Sequence, residues 1–270
     1  MHLLPFSLSL TLLLLLLSLS LAECRPDTFN KRQSHQIHPL RRQTGSAGTT
    51  TKVENLSCSS WQLAVETNNL RDWDVIPASC ESYFGHYLLG HRYREDSSMV
   101  TKEAAQYARG LQLSGNGKDV WIFDIDETSL SNLPFYSKHG FGVEPISETL
   151  FDEWAAKGAA PPLPESLKLY KEVLSLGIKV VFLTGRTEEF REITALNLKR
   201  AGYYSWEKLI LRKANEVTIT ALQYKSAERL KLTEQGYKIV GNIGDQWSDI
   251  LGSPEGERTF KLPDPMYYIS

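Results

Sequence analysis

The stretch Val120-Trp-Ile-Phe-Asp-Ile-Asp-Glu-Thr128 limits the fold more than any other part of the chain. An unbroken apolar run ends abruptly in two carboxylates, Asp124 and Asp126, and then Thr128. Strands of parallel sheets are buried on both faces and read as continuous apolar runs. Ligands in such sheets bind just outside the strand carboxyl ends. Side chains at i and i+2 of a strand point the same way, so Asp124 and Asp126 face one site if the extended geometry persists. Two like charges that close are costly unless a cation or a proton lies between them. The pair therefore implies a metal and acid–base chemistry.

Strand-like runs at 119–124, 178–183, 208–211 and 238–243 alternate with helical spacing at 164–176, 188–201 and about 220–235. Two further helices are expected upstream, at 81–94 and 98–113. Strands alternating with helices imply right-handed crossovers and an α/β fold with a parallel sheet flanked by helices. Gly177 is placed to cap the 164–176 helix, and Gly202 to end the next. Residues 132–163 are irregular and too long for an ordinary connection, so they are read as a small cap insert over the site. Its Phe135, Tyr136 and Trp154 either stack a leaving group or form the insert's own core.

Residues 1–22 read as a secretory signal. Leu12 to Leu17 is an unbroken leucine run, and Ser20 and Ala22 supply the small residues for cleavage after Ala22. A membrane anchor is the rival, weakened by Pro5 and several serines. No later run is apolar enough to span, so no membrane partner is expected once the signal is removed. Residues 23–52 carry six basic and two acidic side chains and too few apolar ones to offset chain entropy. They read as a basic disordered arm, with a membrane- or wall-binding tail as the alternative. The domain proper is 53–270, with 24 basic and 30 acidic side chains. A mildly acidic body argues against a nucleic-acid duplex as partner. In an oxidising compartment Cys58 and Cys80 either pair or remain buried thiols, and Cys24 is left over. Asn55-Leu56-Ser57 is a glycosylation sequon.

Three more motifs sit near strand ends. Thr184-Gly185-Arg186 is either a turn with Thr184 as N-cap or an anion site, with Arg186 adding a fork of donors. In Asn242-Ile-Gly-Asp-Gln-Trp-Ser-Asp249, Gly244 allows a sharp turn and Asp245 emerges at the strand end. A third carboxylate makes a hard oxygen site of the kind Mg²⁺ prefers. Asp249 either supports that metal or caps the next helix. Lys225, in Gln223-Tyr-Lys-Ser226, is by itself a solvated helix charge.

Taken in order, Asp-x-Asp-x-Thr, Thr-Gly-Arg, a Lys and Gly-Asp-x-x-x-Asp resemble the haloacid dehalogenase (HAD) superfamily of phosphotransferases. The Asp-Ile-Asp-Glu-Thr form, the signal and Ser60-Trp-Gln62 resemble more closely the plant acid phosphatase and vegetative storage protein group, related to class B and class C acid phosphatases. The likeness covers roughly residues 55–270 and implies a Rossmann-like HAD core. It implies that Asp124 attacks phosphorus and that Asp126 protonates the leaving oxygen, then activates water. It implies Mg²⁺ on Asp124, Asp126 (through its backbone carbonyl) and Asp245, and phosphate held by Thr184, Gly185 and Lys225. Small-molecule phosphate esters, a homodimer and a cell-wall, extracellular or vacuolar location follow from the same resemblance. The alternative is a storage protein with little catalysis, against which stands the intact Asp124.

Overall fold

The computed structural model describes residues 57–270. The signal, the basic arm, Cys24 and the Asn55 sequon lie outside the described residues. The body Leu56–Ser270 is built on five parallel strands: β1 (Asp119–Phe123), β2 (Lys179–Thr187), β3 (Lys208–Arg212), β4 (Lys238–Gly244) and β5 (Thr259–Lys261). Their order is β3-β2-β1-β4-β5. The chain steps outward from β1 through β2 to β3, then returns to the other side of β1 with β4. The order therefore reverses between β1 and β4, and open α/β sheets bind ligands at such a reversal.

Both faces of the sheet are covered, which is why the strands are apolar throughout. Trp121 and Phe123 pack on one side with Phe182, Tyr170, Val173 and Ala104. Val120 and Ile122 pack on the other with Val181, Leu183, Tyr224 and Leu232. The first side is covered by α3 (His91–Arg109) and α6 (Pro164–Ser175), the second by α8 (Ala221–Glu234). Upstream lie α1 (Cys58–Glu66) and α2 (Glu81–Leu89); Cys58 and Cys80 are joined in a disulfide with Cα atoms 5.5 Å apart. Gly177 has φ +84°, and the Gly177 and Ile178 N–H groups donate to Leu174 and Val173 carbonyls, ending α6 as its sequence predicts. Gly202 (φ +101°) ends α7 (Arg191–Ala201) in the same way.

The upstream helices differ from expectation. They are 81–89 and 91–109, broken at Gly90, which adopts an extended conformation. The buried face of α3 includes Ser97 and Thr101, whose hydroxyls donate to Tyr93 and Ser97 carbonyls one turn back (2.8 and 3.1 Å). Polar residues satisfied by their own helix leave no apolar period to read. Helix α1 and the three-residue edge strand β5 were likewise not legible.

The 132–163 segment folds into α4 (Leu133–Tyr136), a turn at Gly140–Gly142 and α5 (Glu148–Ala155). Phe135 packs on His139, Phe151 and Trp154 with ring centroids 4.1, 5.5 and 6.4 Å away. Phe135 and Trp154 are thus core of the insert, whereas Tyr136 and Phe151 reach the cavity described next.

Candidate active site

Strands β1 and β4 carry their acids to one place. The Asp124 N–H donates to the Ile243 carbonyl (3.0 Å), so the strand pairing extends to the first acid. Asp245 follows β4, and Asp249 lies on α9 (Trp247–Ile250), whose start it caps by accepting the Gln246 N–H (2.9 Å). One oxygen each of Asp124, Asp245 and Asp249 lies within 4.8 Å of the others, and all three residues are buried. Gly244 has an ordinary φ, so it is not the sharp turn expected; a Cβ there would clash with Asp249. Its small size lets Asp249 approach the strand end.

Lys225 projects from α8, whose start is fixed by reciprocal bonds between Thr220 and Gln223. Its buried ammonium donates to Asp124 Oδ1 (2.6 Å) and to Asp249 Oδ1. Asp124 Oδ2 accepts no hydrogen bond among the described residues. Burial, then the Asp249 charge, push the Asp124 carboxyl well above the usual carboxylate range, against the pull of Lys225. Burial, Asp264 and Asp249 do the same to Asp245. Three carboxylates against one ammonium leave net negative charge in a buried place, which is costly. Hard oxygen donors so arranged fit a divalent cation.

Asp126 is not the third carboxylate of that cluster. Its side chain lies in the fork of Arg186, with Nε and Nη2 at 2.9 and 2.6 Å, and accepts Asn132 Nδ2 at 2.7 Å. Burial alone would raise the Asp126 carboxyl, but the Arg186 charge and hydrogen bonds, with Asn132, hold it below the usual range. Asp126 is therefore ionised while Arg186 holds it. Asn132 is fixed in turn by Trp154 Nε1, which donates to Asn132 Oδ1 (2.9 Å), and by Glu127, which accepts from Asn132 N and Nδ2 (2.5 and 2.9 Å). The insert is thus tied to Asp126 through one amide. Glu127 itself adopts φ +51°, an uncommon conformation for this residue.

Thr184 does not cap a helix. Strand β2 continues to Thr187, a single turn spans Glu188–Phe190, and α7 begins only at Arg191. The Thr184 hydroxyl is buried and accepts the Arg186 N–H (3.1 Å). Of Thr184, Gly185 and Arg186, the latter two are on the cavity wall, followed by Thr187, Glu189 and Phe190. The cavity, about 750 Å³, is lined at its base by Asp124, Asp126, Asp245, Lys225 and Arg186.

A second tier of groups that sequence did not reveal supports Asp245. Thr128 Oγ1 donates to Asp245 Oδ1 (2.9 Å), and Gln246 Nε2 bridges Asp245 and Asp264 (3.0 and 2.8 Å). The Tyr267 hydroxyl lies 3.3 Å from Asp245 Oδ2. Thr128 and Gln246 stand inside or beside the motifs, but Asp264 and Tyr267 lie in a tail with no pattern of its own. Burial and the Glu127 charge push the Asp264 carboxyl up to about 7; burial and Asp126 push Glu127 well above its usual range. An acid whose folded pKa exceeds its unfolded value binds more protons folded than unfolded between the two. Stability is then greatest below the unfolded value and falls as pH rises. In EDTA, the melting temperature is expected to fall from pH 4.5 to 7.5, and a divalent cation to oppose that fall. A flat profile in EDTA would contradict this accounting of buried charge.

A sequence profile of the HAD superfamily, subfamily IIIB (Acid phosphatase), matches residues 42–270. The chain is 51% identical over 216 residues to Acid phosphatase 1 of Solanum lycopersicum, covering 80% of this chain and 85% of that protein. It is 44% identical over 215 residues to Vegetative storage protein 1 of Arabidopsis thaliana, covering 79% of each. In fold it is similar to the class C acid phosphatase from Bacillus anthracis, with TM-score 0.56 and 21% identity over 79% of this chain and 87% of that one. The strand order, the acids at the β1 and β4 ends and these similarities agree: the chain belongs to the acid phosphatase family of HAD subfamily IIIB.

Proposed function

We propose that the protein is a Mg²⁺-dependent acid phosphatase of the secretory route, cell wall or vacuole, acting on small phosphate monoesters through a phosphorylated Asp124. The observation that carries this reading is Asp124 itself. One of its oxygens is fixed by Lys225 while the other accepts no hydrogen bond among the described residues, and Asp124 lines a cavity large enough for a small ester.

Asp124, Asp245 and Asp249 would hold Mg²⁺, with the Asp126 backbone carbonyl as a further donor. When bound, the ion offsets repulsion between the attacking carboxylate and the phosphate dianion. The remaining work falls to the chain's own groups. Asp124 Oδ2 attacks phosphorus, forming an acyl phosphate and breaking the bond to the ester oxygen. Lys225, the Gly185 backbone and Arg186 hold phosphate oxygens, and Thr184 shapes the turn that presents Gly185 and Arg186. Arriving phosphate competes with Asp126 for Arg186. Once the guanidinium turns to phosphate, burial dominates at Asp126, which takes up a proton from solvent at mildly acidic pH and passes it to the leaving oxygen. Asp126, now a base, then activates water against the acyl phosphate.

Purified protein is expected to hydrolyse p-nitrophenyl phosphate at mildly acidic pH, to lose on the order of 10²-fold or more in EDTA, and to recover with Mg²⁺. Absence of turnover with every divalent cation would sink the enzyme reading and leave storage, which the likeness to Vegetative storage protein 1 favours as a second role.

A further inference from the structure

The cavity above the acids is unusual in its charge. Asp74, Glu144, Glu148, Asp152 and Glu189 are exposed around it, and none has an ion-pair partner among the described residues. They come from separate segments: the loop before α2, the insert, and the turn after β2. Asp152, Glu148 and Glu189 lie close enough that, after burial, the charges of Glu189 and Glu148 raise the Asp152 carboxyl. Three cations also line the cavity, but Lys225 and Arg186 face Asp124, Asp249 and Asp126. Arg212 is turned to the carbonyls of Glu216 and Ile219. Among the described residues one guanidinium, already bound to backbone oxygens, thus stands against five unpaired carboxylates around the cavity.

The walls point the same way. Tyr136, Phe151, Phe190 and Tyr267 line the cavity, and Tyr136 stacks on Tyr267 with centroids 5.6 Å apart. Aromatic faces attract ammonium groups through the ring quadrupole. Independently, Ser248 lines the cavity, and its buried hydroxyl has no hydrogen-bond partner among the described residues, leaving it to donate to or accept from a ligand.

We propose that this cavity selects phosphate monoesters of ammonium alcohols, quaternary or primary, over esters whose remaining part is anionic. The inference rests on the phosphatase reading and deepens it. Phosphate sits among Lys225, Gly185 and Arg186, and the cationic end of the alcohol lies against the aromatic wall beneath Glu148, Asp152 and Glu189.

The test compares three esters of similar shape: phosphocholine, its neutral isostere 3,3-dimethylbutyl phosphate, and the anionic phosphate ester of 3-hydroxypropanoate. At low salt, kcat/KM is expected to be about fivefold to tenfold higher for phosphocholine than for the isostere, and lower again by a similar factor for the anion. In the triple variant Glu148→Gln, Asp152→Asn, Glu189→Gln the cation-to-anion ratio should shrink severalfold; a ratio cancels changes in the shared chemistry. In the unaltered protein the same ratio should shrink at about 0.5 M salt, a readout independent of how the variant folds. Three esters within about twofold of one another, or a ratio unmoved by both the variant and salt, overturn the proposal. Turnover of p-nitrophenyl phosphate without selectivity overturns the selectivity alone. Hydrolysis of no ester at all overturns the phosphatase reading and the selectivity with it.

Discussion

Asp124→Asn is expected to lower turnover on the order of 10⁴-fold or more while leaving the fold intact. The amide keeps the shape of the carboxylate but cannot attack phosphorus or form an acyl phosphate. Stability should hold, because the change removes one of three like charges from a buried cluster, and Lys225 keeps Asp249 as partner. In EDTA the variant should melt at or above the temperature of the unaltered protein. Circular dichroism and thermal melts check the fold, and a p-nitrophenyl phosphate assay checks the loss. Full activity in the variant removes Asp124 from the nucleophile role.

Asp126→Asn is expected to cost about 10²- to 10⁴-fold, with the loss largest for poor leaving groups. A phenolate of low basicity leaves without a proton, whereas an alkoxide does not. The plot of log kcat/KM against leaving-group pKa should therefore steepen in the variant across a series of aryl and alkyl phosphates. The substitution also strips Arg186 of its ionic partner in a buried place, which costs stability. Inorganic phosphate should bind the variant at least as tightly as the parent, because it no longer competes for the guanidinium. Equal losses across all leaving groups would place Asp126 outside proton transfer.

Legibility in the sequence followed the physics of each element. Strands β1, β2 and β4 were readable because burial on both faces makes them continuously apolar, and α6 and α7 because glycines with positive φ end them. Alternation of strands and helices implied a parallel sheet, but the reversal of strand order that brings Asp124 and Asp245 together is seen only in the fold. Strand β5 is three residues long and has no period to detect. The role of Gly244 was misread because a glycine signals room as often as a turn; here the room is for Asp249. Thr184 was misplaced because β2 runs past it to Thr187. The partnership of Arg186 with Asp126 spans 60 residues, and Asn132 joins it from the insert; neither leaves a local trace. Proton transfer by Asp126 was an expectation of the resemblance; the guanidinium that holds its carboxylate ionised was not foreseen.

The central claim is a phosphoryl group carried on one named carboxylate. Protein quenched in acid during steady turnover, reduced with borohydride and mapped by mass spectrometry reports it directly. The account predicts conversion of Asp124 to homoserine, and of no other aspartate. Label at another residue, or rapid turnover with no trapped adduct anywhere, would contradict it.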